Sequence, residues 1–90
     1  MVADHKTVTR LLKTARGQID GILNMIEEDQ YCLDISNQIM ASQAVLRRAN
    51  QVIIRAHLEG CVRAALESGQ EENAKMKINE IISLMEKLSK

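Results

Sequence analysis

Apolar residues recur three and four positions apart almost from the start of the chain. Val8, Leu11, Leu12, Ala15, Ile19, Ile22, Leu23 and Ile26 make one amphipathic stripe, which predicts a first helix over about residues 6–28. Asp4 stands where an N-cap belongs. The stripe then stops at Glu27-Glu28-Asp29-Gln30, a polar turn in which Asp29 is placed to cap the next helix. From about residue 31 to 68 the pattern changes. Leu33, Ile35, Ile39, Ala41, Ala44, Val45, Leu46, Ala49, Val52, Ile53, Ile54, Ala56, Leu58, Val62, Ala65 and Leu66 are too many for one narrow stripe. A helix apolar around much of its circumference must be covered on several sides. Ser68-Gly69-Gln70 closes it, with Gly69 as the left-handed C-cap residue. Ala74, Ile78, Ile81, Ile82, Met85 and Leu88 then predict a third helix over about residues 71–88. Glu71 and Glu72 favour its start and Lys87 and Lys90 its end, through the helix dipole.

Composition supports an all-α fold. The chain has 90 residues, enough for a single domain over 1–90. It has no proline, and Tyr31 is its one aromatic residue. Aliphatic, alanine and methionine side chains must fill the core, which suits helix packing and disfavours a β-sandwich. Gly17 and Gly21 lie four apart in the first helix, where they would let a neighbouring helix approach closely. No apolar run reaches the roughly 18 residues that a membrane span requires, and no apolar leader core is present, so a cytoplasmic protein is expected. The second helix, about 37 residues at about 1.5 Å each, is over 50 Å long, more than two short partners from one chain can cover. Self-association is the natural remedy.

Net charge is zero, but the charges are segregated. Residues 1–16 carry Lys6, Arg10, Lys13 and Arg16 against Asp4. Residues 17–34 carry Asp20, Glu27, Glu28, Asp29 and Asp34 and no base. Residues 47–63 carry Arg47, Arg48, Arg55 and Arg63 against Glu59. Basic clusters of this kind suit either a phosphate backbone or simple solvation.

Cys32, His57 and Cys61 carry the candidate chemistry. His57 and Cys61 are four apart and share a helix face. Cys32 is 25 residues upstream of His57. On one helix that is about 37 Å, whereas metal–ligand bonds are about 2.0–2.3 Å. The three therefore meet only if the helix packs antiparallel against its own copy. A two-fold axis near Ala44, Val45 and Leu46 brings Cys32 opposite the pair and generates two equivalent sites. Two thiolates and one imidazole suit low-coordinate Cu(I), whereas Zn(II) wants a fourth ligand and Ni(II) more nitrogen or oxygen donors. The other reading of the same residues is two cysteines acting as small hydrophobes beside an ordinary surface histidine. The spacing by itself leaves both open. An enzyme finds little support, because no third group orients the Cys–His pair.

Four segments are similar to the CsoR/RcnR/FrmR family of bacterial repressors. They are Arg16-Gly17-Gln18-Ile19-Asp20-Gly21-Ile22, Met25 through Cys32, Gln38-Ile39-Met40-Ala41, and His57-Leu58-Glu59-Gly60-Cys61. The Cys32, His57, Cys61 set resembles the Cu(I)-responsive branch. Nickel-responsive members typically add a histidine nearer the N-terminus than His5 falls here. Formaldehyde-responsive members lack the second cysteine, and persulfide-responsive members usually lack the histidine. The resemblance implies three-helix protomers with a long central helix, paired as an antiparallel four-helix-bundle dimer and assembled further into a dimer of dimers. It implies operator DNA binding without a helix-turn-helix, lost when the inducer binds. In that branch a tyrosine before the first cysteine and a glutamate on the third helix stand behind the ligands. Tyr31 matches the first, and Glu80 is the candidate for the second.

The reading is thus a Cu(I)-sensing homo-oligomeric repressor with Cys32, His57 and Cys61 as metal ligands. Arg10, Lys13, Arg16, Arg47 and Arg48 are candidate DNA contacts, and Gln18 reaches DNA or satisfies a polar interface. The rivals are a thiol-based sensor that joins Cys32 and Cys61 through sulfur, a sensor for another metal such as Ni(II), and a metal buffer that never touches DNA.

Overall fold

The computed structural model describes residues 1–69 and 71–88. The expectations placed on Gln70 and Lys90 fall outside them, as do those on the side chains of Ala65, Glu71, Ala74 and Leu88. The described residues form three helices and no strand: α1 (His5–Glu27), α2 (Cys32–Ser68) and α3 (Glu71–Leu88). Each boundary lies within one residue of its expected place.

Asp4 caps α1 as the sequence suggests. Its carboxylate accepts from the Thr7 backbone N–H at 3.3 Å and from the Thr7 hydroxyl at 2.6 Å. The Thr7 hydroxyl bond is the main reason its pKa falls below the ordinary 3.8. The far end of α1 corrects the sequence reading of Asp29. Asp29 does not cap α2; it terminates α1 in the left-handed conformation, φ 54°. Its N–H reaches Ile26 O at 3.0 Å, and the Gln30 N–H reaches Met25 O at 3.0 Å. Those two bonds are the Schellman pattern, which satisfies carbonyls that the helix itself leaves unpaired. α2 starts instead from Tyr31, whose carbonyl accepts from Asp34 and Ile35. Asp34 in its first turn complements the dipole. Gly69 ends α2 at φ 71°, as expected of a C-cap glycine.

The chain packs as two compact units that divide inside α2. In the unit of residues 4–50, α1 and the first half of α2 fold back on each other across the short turn. Val8, Leu11, Ala15, Ile22 and Ala49 are its buried apolar residues. The α1 stripe is wider than this core, because Leu12, Ile19, Leu23 and Ile26 remain about half exposed. Among the described residues, a Cβ at Gly17 or Gly21 would meet nothing within 4 Å. The close approach expected there does not occur within the protomer. The other unit comprises residues 1–3 and 51–90, with Ala3, Ile54 and Ile81 buried. There Val2 lies over Gly60, 3.4 Å from where a Cβ would stand. Among the described residues no helix is long and apolar enough to cross a membrane.

Candidate metal centre and nucleic-acid face

The helical turn from His57 to Cys61 sets two soft donors side by side. Cys61 Sγ and His57 Nε2 are 3.4 Å apart, a hydrogen bond whose direction follows the imidazole tautomer. A soft cation that displaces the shared proton would be gripped by both atoms, since each is a lone-pair donor once deprotonated. Cys61 is half-buried and Cys32 exposed, and both are free thiols. Cys32 is the first residue of the same unbroken helix α2. Among the described residues no three His, Cys, Asp or Glu side chains gather into one metal-binding group. The protomer thus presents a two-donor half-site on one turn and a lone thiol on another. The donor set fits a thiophilic cation, and no carboxylate joins it.

Tyr31 precedes Cys32 and is 64% exposed. Glu80 sits on α3 as an exposed carboxylate, 3.8 Å from Lys77 Nζ one turn earlier. Glu80 makes no bond to the His57–Cys61 pair among the described residues.

The basic residues expected at DNA are solvent-facing. Arg10, Lys13 and Arg16 are exposed on α1, and Arg47 and Arg48 on α2. Arg10 and Lys13 belong to a shallow groove along α1 that His5, Lys6, Thr9 and Thr14 complete. None of the six is acidic. The sequence places Lys6 in the basic cluster but does not single out His5, Lys6, Thr9 or Thr14 as DNA contacts, although two interleaved runs at intervals of four, 5-9-13 and 6-10-14, carried the signal. Gln18 behaves differently. It is half-buried, and its Oε1 is enclosed without a protein hydrogen-bond partner. Of the two roles open to it, a polar interface is the one this placement supports.

The chain matches the family described as metal-sensitive transcriptional repressor over residues 4–87. It is 48% identical to the copper-sensing transcriptional repressor CsoR of Mycobacterium ulcerans (strain Agy99), over 79% of this chain and 58% of that one. It is 39% identical to the copper-sensing transcriptional repressor CsoR of Bacillus subtilis (strain 168), over 92% of this chain and 79% of that one. The chain spans only about three fifths of the mycobacterial CsoR relatives it matches. Its fold is similar to a crystal structure of the copper-sensing repressor CsoR with Cu(I) from Geobacillus thermodenitrificans NG80-2. The TM-score is 0.77 at 29% identity, covering 94% of this chain and 85% of that one.

Proposed function

Because this chain belongs to the family of metal-sensitive transcriptional repressors, we propose that it represses transcription from operator DNA and releases that DNA on binding Cu(I). The observation that carries the choice of metal is the His57–Cys61 pair, an imidazole and a thiol 3.4 Å apart on one helical face. Two donors leave Cu(I) short of a third. Cys32 of the partner subunit supplies it when two α2 helices pair antiparallel, giving each dimer two S₂N sites. The exposed Leu33, Ile39, Met40 and Leu46 support such pairing, since a long apolar helix left bare is a surface for another chain. The assembly is a homodimer that doubles to a homotetramer, working in the cytoplasm, with Tyr31 and Glu80 behind the ligands. Arg10, Lys13, Arg16, Arg47 and Arg48 hold phosphates.

Copper acts by linkage. If Cu(I) weakens operator binding by some factor, operator DNA weakens Cu(I) binding by the same factor. Tying two helices of different protomers through one ion favours the arrangement in which the donors meet. The DNA-holding arrangement loses population accordingly.

The test is an anaerobic Cu(I) titration of the reduced protein against a chromogenic Cu(I) chelator, read alongside operator binding. One Cu(I) per protomer with release of DNA is expected. Tight Cu(I) with unchanged operator affinity would sink the proposal. It would favour the second reading, a sulfur-based switch, for which the observation is that Cys32 and Cys61 are both free thiols. A metal buffer would show no specific, salt-sensitive operator shift at all.

A further inference from the structure

Two polar atoms are sealed into the α1–α2 hairpin without a protein partner: Gln18 Oε1 and Ser42 Oγ. Ser42 is only 5% exposed and, among the described residues, is the buried polar one. Their positions are related. In an antiparallel hairpin, residues equally far from the turn face each other. Four inward positions of α1, Leu11, Ala15, Gln18 and Met25, match four of α2, Ala49, Val45, Ser42 and Ile35, while Val8 and Ile22 are buried on α1 as well. Taken in that order, each pair is equidistant from Gln30, in the middle of the turn. Gln18 and Ser42 therefore occupy one layer of an otherwise apolar seam.

We infer that Gln18 and Ser42 are a positioning pair for the DNA-binding face, a polar layer that fixes the register of α1 against α2. This rests on the proposed DNA contacts, which the same two helices carry: Arg10, Lys13 and Arg16 on α1, Arg47 and Arg48 on α2. An all-apolar seam of alanine, leucine, isoleucine and valine would tolerate a slide of one helical turn, about 5.4 Å. That slide exceeds the about 3.4 Å spacing of charges along a DNA strand, so it would unmatch basic side chains from phosphates. A polar layer penalises the slide. In register, the Ser42 hydroxyl can donate to the Gln18 carboxamide oxygen after rotation about side-chain torsions. Out of register, each polar group faces aliphatic side chains and neither can be satisfied. Single buried polar layers set register in paired helices by this mechanism, at a cost in stability. Here the cost is visible in the protomer, where both oxygens are enclosed and unbonded.

The test replaces the layer with apolar groups of similar size, Gln18→Leu together with Ser42→Ala, in the full chain. Melting temperature, operator affinity and the dependence of affinity on salt are then measured. The expected result is a melting temperature equal to or above that of the unsubstituted protein. Operator affinity falls about tenfold, and its salt dependence becomes shallower, because fewer phosphates are matched. Ser42→Thr, which keeps the hydroxyl, retains affinity. Two results overturn the inference: a double variant that keeps both affinity and salt slope, or one whose melting temperature falls. Arg10→Ala with Lys13→Ala serves as the companion measurement. Unchanged operator binding there would instead show that the DNA contacts themselves were misassigned.

Discussion

His57 and Cys61 can each bond the other or a metal, and the same atoms serve both. Without metal, Sγ and Nε2 are hydrogen-bond partners 3.4 Å apart. A metal takes the same lone pairs, so protons compete with Cu(I) for the site. His57→Ala is expected to lower Cu(I) affinity about 100-fold or more in the chelator competition while leaving both thiols free to react with sulfane sulfur. An equal loss in both assays would contradict the assignment of the imidazole as a ligand. Asp4 makes a second residue-scale prediction. Its carboxyl is held below the ordinary 3.8 mainly by the Thr7 hydroxyl, with the backbone N–H groups of Thr7 and Lys6 adding to it. A depressed carboxyl stabilises the fold above its unfolded pKa, and that contribution vanishes as pH falls through the lower folded value. Asp4→Ala should therefore melt at a lower temperature than the parent at pH 7. The gap should narrow on acidification below about pH 4, followed by circular dichroism.

At the scale of the element, the helices were readable from spacing and their ends only in part. Three-and-four periodicity located α1 and α3 to within a residue, because helical burial imposes that period, and the polar turn and Gly69 bounded α2 between them. Gly69 was readable because only glycine enters the left-handed region at no steric cost. Asp29 was not, because the short side chain of aspartate suits both an N-cap and a left-handed C-cap. The choice between them depends on whether the N–H groups of residues 29 and 30 can reach back to α1. They do, at 3.0 Å each. Asp29→Gly should stabilise the protein by about 0.5–1 kcal/mol, by removing the side chain from a conformation that disfavours it. Gly69→Ala should destabilise by about 1 kcal/mol, because the new Cβ would have to sit at φ 71°. Chemical denaturation of both variants checks the opposite signs.

For the whole molecule, the unfinished business of the protomer is apolar. Leu12, Ile19, Leu23 and Ile26 on α1 and Leu33, Ile39, Met40 and Leu46 on α2 are each more than two fifths exposed. Burying a side chain of this size contributes about 1.5–3 kcal/mol, so another copy of the chain has ample reason to bind. Leu46→Lys, at the proposed two-fold axis, is expected to shift sedimentation toward monomer. It should weaken Cu(I) binding, because the partner subunit's Cys32 is lost from the site, while sparing the helical content of the chain. On DNA, Arg10→Ala and Lys13→Ala should each reduce the slope of log affinity against log salt by about one.

The sequence by itself determined the helical class, the order and extent of the helices, the Asp4 and Gly69 ends, and the pairing of His57 with Cys61. All of these are local: they depend on residues within a turn or two, whose spacing is written directly in the chain. Tertiary structure alone decided which half of the α1 stripe is covered, that Asp29 closes α1, and that no described residue fills the space beside Gly17 and Gly21. It also decided that the Gln18 side-chain oxygen and the Ser42 hydroxyl are enclosed. Each of those depends on what lies across from a residue rather than beside it, and helical periodicity specifies a face without specifying its neighbour.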